Sequence, residues 1–413
     1  MRRLAALVVA GAALWLAPGA LAAGWCGTGE VATDRPDVTT GQQIHSVVVV
    51  PSDGADNFPA AANKLADDVT SMTAWWTGQD ATRVPRFDQA VFPAGTCLDI
   101  SFLRLPDSAA SFRDASSAFN RVANDLINAG FGSTYKKYVV YYDGPSVQPN
   151  ICGTGGGSDF HTGPSFAIVW LQGCPTVPTD AVATHELAHA LGAVPPGAPH
   201  ECPPPNQGHV CDSAMDLLFP YTSGQSLSEI VLDVNRDDYY GHSTGGVDIR
   251  DSLWLHHLDV PQVPLSVAMI GSGMVSSDLP GLDCTVACTT QWDQGSTVTL
   301  AATPGAGLRF VRWSGACTGN SDCTVTLAQA QSVTAVFGAL TIPLKVTTTG
   351  RGSVRCTPVC SKAFVVGDPL ALRAVPAKGW KFTGWSGGCT GKQQVCRPAT
   401  GSALSVRATF RRK

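Results

Sequence analysis

The sequence predicts an α+β domain followed by two small all-β repeat domains, on three observations. As far as residue 262, apolar runs of strand length alternate with stretches of helical spacing. Beyond that point the chain repeats itself, with short strand-like runs between glycine turns. Its 14 cysteines fall six before and eight after the same point, an even count that reads as disulfides in an exported chain. No paired C-x-x-C knuckle offers a zinc-binding alternative for them.

Export is expected from the start of the chain. Residues 1–22 carry Arg2 and Arg3, an apolar run over 4–16 and Ala20-Leu21-Ala22, the pattern of a secretory signal peptide. The run is too short to span a membrane, and no second hydrophobic span follows. Trp25 before Cys26 argues against a lipid anchor, and Cys26 is expected in a disulfide. The expected domains are then 23–262, 263–338 and 339–413, in a protein that is secreted or held at the cell surface.

Within the first domain, residues 44–50 (IHSVVVV) are β-branched and read as a buried strand. Residues 59–76 put Leu65, Val69, Met72 and Trp76 on one helical face. Residues 97–103 (CLDISFL) alternate as a strand does, and 111–129 form a second helix stopped by Gly130. Two more strands follow at 138–142 (YVVYY) and 166–171 (FAIVWL). Between them, Gly153-Thr154-Gly155-Gly156-Gly157-Ser158 reads as a mobile loop, because no Gly-Lys-Ser/Thr signature makes it a phosphate cradle. Trp75 and Trp76, with Asp80, Arg83, Arg86 and Asp88, read as a helix end buttressed by Arg–Asp pairs rather than a sugar site. His45, His161, His256 and His257 read as packing or surface residues.

The chemistry sits in Thr184–Gly192 (THELAHALG). On a helix, His185 and His189 are four apart and share a face, so both imidazoles can reach one Zn²⁺. A third protein ligand would leave a position open for water. Glu186, one step round, is placed to act as general base on that water.

His185-Glu186-x-x-His189-x-x-Gly192 resembles the opening of the metzincin zinc-protease signature. The resemblance implies a zincin α+β sandwich with the metal below the sheet, and secreted zinc endopeptidase activity. It also implies that the strand at 166–171 is the sheet edge that pairs with an extended peptide substrate. The family's third ligand would fall on Pro195, which cannot bind metal. The reading therefore takes His200, reached through the insertion Pro195-Pro196-Gly197, ahead of His209, with Asp212 and a distant Glu229 behind them. Met215 in Asp-Ser-Ala-Met-Asp resembles the methionine of the Met-turn, and Tyr221 is a candidate to approach the oxyanion. Asp233-x-Asn235-x-Asp237 begins like a calcium loop, but Asp238 and Thr244 stand where an EF-hand needs glycine and glutamate. A simpler Ca²⁺ site on Asp233, Asn235 and Asp237, or plain turn residues, are the two readings left.

In the tail, Trp313-Ser314-Gly315-x-Cys317-Thr318-Gly319 recurs as Trp385-Ser386-Gly387-x-Cys389-Thr390-Gly391, and Cys284 and Cys288 recur as Cys356 and Cys360. Units this small need staples, here one pair of cysteines four apart and one across the Cys-Thr-Gly loop. The pattern resembles the divergent InlB-type B repeats of bacterial exported proteins, which implies spacer or surface modules with Trp313 and Trp385 as buried anchors.

Charge separates the two parts. Residues 23–263 carry 11 basic and 27 acidic side chains, a net −16, while 264–413 carry 15 and 5, a net +10. Most of the positive charge lies in the last repeat, which makes an anionic cell-wall or surface polymer a candidate partner. A protein or peptide substrate, no nucleic acid, no membrane span and a monomeric chain are expected. The competing classes are a non-catalytic adhesin with a vestigial metal domain and a zinc amidase acting on cell-wall peptide.

Overall fold

A strand with no polar face must be covered on both sides, and residues 44–50 are covered so. The structure, a computed structural model, describes residues 25–413 except 28, 114, 146–150, 158–162, 221–223, 244–246, 358–362, 366–368 and 400–403. The signal peptide, Ser158, His161, Tyr221, Thr244 and Cys360 lie outside the described residues. The chain divides into two compact units, one running to Pro261 and including Leu279–Gly281, the other formed by the rest.

The first unit is built on a five-stranded sheet: β1 (Gln43–Val50), β2 (Ile100–Arg104), β3 (Lys136–Tyr142), β4 (Gly153–Gly157) and β5 (Ser165–Trp170). Their spatial order is β2-β1-β3-β5-β4. β1, β2, β3 and β5 are parallel, and β4 runs antiparallel along β5 at the edge. Three helices, α1 (Phe58–Gln79), α2 (Ala115–Asn128) and α3 (Thr179–Ala190), cover it. Ile44, Val48 and Val50 pack with Leu65, Val69, Met72 and Trp76 of α1 and with Leu187 of α3. Val47 and Val49 face the other way, toward Val122 and Leu126 of α2. A sheet apolar on both faces takes helices on both faces, so the unit is layered helix, sheet, helix.

Three expectations are corrected here. The run at 97–103 is two strands, Gly95–Leu98 in a hairpin with Gln89–Phe92 and then β2. They part at Asp99, whose buried carboxylate is held by the Arg35 amide and guanidinium. The glycine run is β4 rather than a loop. And β5 is interior, so the sheet edge on that side is β4.

The far end of the sheet carries a buried ionic knot. The Lys136 ammonium lies 2.7 Å from Asp34 and 2.8 Å from both Asp37 and Asp88, and Asp88 also holds the His45 ring at 2.7 Å. Burial alone would lower the Lys136 pKa, but Asp88, Asp34 and Asp37 outweigh it and raise the value. Burial, reinforced by Asp88, pushes Asp37 up to about 7. Trp76 is buried at the end of α1, and Arg250–Asp80 and Arg83–Asp259 pairs flank it. Among the described residues, no helix is long and apolar enough to cross a membrane.

In the second unit each repeat is a pair of small sheets. The first repeat opens with the strand Gln262–Ile270 and closes with Gln331–Ala339, paired in parallel; the second does the same with Thr341–Thr349 and Leu404–Arg412. Trp313 and Trp385 are buried, each donating its indole N–H at 2.9 Å to a carbonyl eight residues on, Ser321 and Gln393. Six disulfides are found among the described residues. They include Cys26–Cys97 and the staples Cys284–Cys288, Cys317–Cys323 and Cys389–Cys396; Cys356 is also disulfide-bonded.

Removing the ammonium from the knot leaves three crowded carboxylates. Lys136→Met is expected to cost about 3–5 kcal/mol at pH 8, measured by urea unfolding. Because the folded-state pKa of Asp37 lies above its unfolded value, its protonated form favours the fold as pH falls through about 7. The loss should therefore be smaller at pH 5; an equal loss at both would remove Asp37 from the account.

Candidate metal centre

Helix α3 is fixed at both ends. At its start, Asp180 accepts from the Ser71 hydroxyl at 2.6 Å, and Asp68 of α1 accepts from the hydroxyls of Thr179 and Tyr141. Its end is a Schellman turn: Gly192, at φ 96°, donates to the His189 carbonyl and Ala193 to the Ala188 carbonyl. The glycine supplies the left-handed residue that turns the chain out of the helix.

One turn apart on α3, His185 and His189 bring their Nε2 atoms to 3.1 Å. The Nδ1–H of His185 donates to the Leu217 carbonyl at 2.6 Å, which leaves its Nε2 lone pair facing the cluster. The third imidazole is His209. Its ring centroid lies 5.2 Å from that of His185 and 4.8 Å from that of His189, and one nitrogen from each of the three falls within 4.8 Å of the others. His209 sits on a loop closed by Cys202–Cys211, with its carbonyl accepting from the Cys202 amide at 2.7 Å. Glu201 braces that loop by accepting from the amides of Gly197 and Gly208.

The ring set is neutral by environment. Burial, with His209 nearby, lowers His185 to about 4; burial with both neighbours puts His189 well below its ordinary value; burial lowers His209. Three neutral imidazoles with convergent nitrogens are the donor chemistry of a zinc site. Beside them Glu186 is buried, and burial raises its carboxyl to about 8.

His200, taken first as third ligand from the sequence, is elsewhere. Its ring is 2.9 Å from Asp238 and 4.0 Å from Asp212. The two histidines stand at opposite ends of the same closed loop, and only His209 is folded back toward α3. Met215 is 43% exposed and so forms no floor beneath the rings; the backbone of the same segment contributes instead, through Leu217. Glu229 is exposed and caps its own turn, accepting from the Ser226 amide. Asp233 is buried and accepts from the amides of Asp237, Asp238, Tyr239 and Tyr240, which makes it the centre of a turn. Asn235 adopts φ 69° within that turn, and Asp237 groups with His200, Asp212 and Asp238.

What the sequence reading missed is why β4 is glycine. A Cβ on Gly153 would stand 2.6 Å from Glu186 Cγ and Oε1; one on Gly155 would stand 2.5 Å from the Glu186 carbonyl and 2.9 Å from His189 Cβ. Edge strand and helix touch there, backbone against side chain. The signal was the spacing of two, which puts both glycines on one strand face, and glycine in a strand marks such an approach.

The tail resolves the comparison with known families. Residues 279–340 and 342–413 match the divergent InlB B-repeat domain. The chain ends in two such repeats. No curated protein matches the chain. Among solved structures, wild-type OgpA from Akkermansia muciniphila aligns at 12% identity over 74% of this chain and 99% of its own, with a TM-score of 0.28. Catalytically inactive OgpA in complex with an O-glycopeptide substrate aligns at 10% identity over 76% and 88%, with a TM-score of 0.29. The major pilin T-13 of Streptococcus pyogenes aligns at 10% identity over 37% and 97%, with a TM-score of 0.16. Likenesses this low do not fix a fold. The B-repeats account for the second unit and leave the first to be read from its own residues.

Gly155→Ala must push helix and strand apart, at an expected cost of about 1–3 kcal/mol. Gly78→Ala, in α1 with open space around it, should be neutral or stabilising by up to about 1 kcal/mol. Chemical denaturation of both variants checks this; equal effects would mean that β4 and α3 are not in contact.

Proposed function

We propose that the first unit is a zincin-type, zinc-dependent endopeptidase that works outside the cell. The observation that carries the reading is the convergence of His185, His189 and His209 beside a buried Glu186. These three imidazoles would hold the zinc. When bound, the ion supplies Lewis acidity toward a water and a substrate carbonyl. Glu186 takes the proton from the attacking water and returns it to the leaving amine. Its buried carboxyl, with a raised proton affinity, suits that exchange near neutral pH. Leu217 orients His185 by accepting its Nδ1–H. The free edge of β4 is the element along which an extended peptide would pair by backbone hydrogen bonds, and its contact with Glu186 would bring the peptide to the base.

The experiment is zinc content and casein hydrolysis of the mature chain. Glu186→Ala should keep the wild-type zinc while activity falls at least about 100-fold. His209→Ala should lose one equivalent of zinc. A chain that holds zinc but cleaves nothing would favour the adhesin, and wild-type protein without zinc would end the enzyme reading.

The second B-repeat supports attachment to an anionic surface polymer. Lys381, Lys392 and Arg411 line a groove of about 620 Å³ with Phe382 and Trp385. Lys381 stands directly opposite Arg411 across an antiparallel pair, where like charges destabilise unless an anion lies between them. In the first repeat the matching pair is Arg309 opposite Gly338, so the scaffold does not require two cations. Lys381→Gln with Arg411→Gln should weaken binding to polyphosphate at least 10-fold and flatten its salt dependence, without loss of stability. Unchanged binding would make the cations a solvated face.

A further inference from the structure

The His200 cluster is a second cation site in its own right. His200, Asp212, Asp237 and Asp238 each bring a ligand atom within 4.8 Å of the others. Their sequence separation excludes a local accident of one turn. His200 and Asp212 come from the two ends of the disulfide-closed loop, Asp237 and Asp238 from the turn organised by Asp233.

Among the described residues, two carboxylate oxygens in this cluster have no hydrogen-bond partner. Asp238 has a fully buried side chain; its Oδ1 meets His200 Nδ1 at 2.9 Å, while its Oδ2 is buried without a hydrogen bond. Asp237 Oδ1 is buried and unpartnered as well. A buried acceptor left empty costs about 1–3 kcal/mol, and more when charged. Here two of them lie within one group of three carboxylates, whose mutual repulsion adds to the cost. The single imidazole cannot offset this, since it meets only one oxygen closely and half of its side chain is exposed.

We propose that His200, Asp212, Asp237 and Asp238 bind a divalent cation of the zinc or manganese type, distinct from the ion assigned to His185, His189 and His209. One imidazole with carboxylates is a donor set such ions accept, whereas calcium takes oxygen alone. The site is structural, since the cation would pin both ends of the closed loop to the Asp233 turn. That loop presents His209 beside its second cysteine, so the consequence for His209 rests on the zinc reading above, while the cation site itself does not.

The test is isothermal titration of the chelator-stripped, full-length mature chain with Zn²⁺, Mn²⁺ and Ca²⁺. Asp212→Asn, at an exposed loop position, should lower the stoichiometry for Zn²⁺ or Mn²⁺ by one equivalent, and Asp238→Asn should do the same if it folds. His189→Ala should leave this equivalent in place. If the His185 site is wrongly assigned, the wild-type chain still binds one ion that Asp212→Asn removes. Unchanged stoichiometry in Asp212→Asn would overturn the proposal and leave a plain His200–Asp238 ion pair. Binding of Ca²⁺ in preference to Zn²⁺ and Mn²⁺ would overturn the assignment of the cation.

Discussion

The arrangement of the first unit depends on one close contact, that of the glycine strand β4 against helix α3. With side chains at 153 and 155 the strand could not reach the sheet edge while Glu186 and His189 occupied their present positions. The contact packs a helix bearing two histidines directly against the edge strand of the sheet. It also explains the burial of Glu186, and with it the raised proton affinity of its carboxyl. Packing and proton chemistry here have a single cause.

Much of this was legible where the signal is local. The strand and helix periods of 44–50, 59–76 and 138–142 fall where the elements are, because apolar spacing reports burial directly. The repeat and its tryptophans were legible for a related reason: a motif written twice in one chain separates scaffold from variation. What failed was everything set by contacts distant in sequence. Glycine at 153–157 resembles a loop when the helix that crowds it lies thirty residues further on. His200 and His209 differ only in which end of a disulfide-closed loop turns inward, and no local property of either residue encodes that. Met215 matched a motif by sequence position alone, and the neighbouring Leu217 carbonyl is the group that meets the ring.

The two B-repeats show how little of a small β module is committed to its core. Trp313 and Trp385 occupy equivalent buried positions with equivalent indole hydrogen bonds, so stability is solved the same way twice. The cations across the groove of the second repeat lie on strand faces the core does not use, and there the sequences part. Exposed positions of a stapled module vary at small cost, which suits it to carry a binding surface.

The Cys202–Cys211 bridge makes the third imidazole conditional on compartment. A cross-link of about this span limits the unfolded chain by about 2–3 kcal/mol on chain-entropy arithmetic, and here it also holds the segment that presents His209. In a reducing cytosol thiols stay open, and the loop would be free to wander from α3. For a chain exported as proposed, the reducing side would hold two of the three imidazoles in place, and oxidation outside would set the last one. On the proposed reading, a protease is assembled on the far side of the membrane from the proteins it could harm.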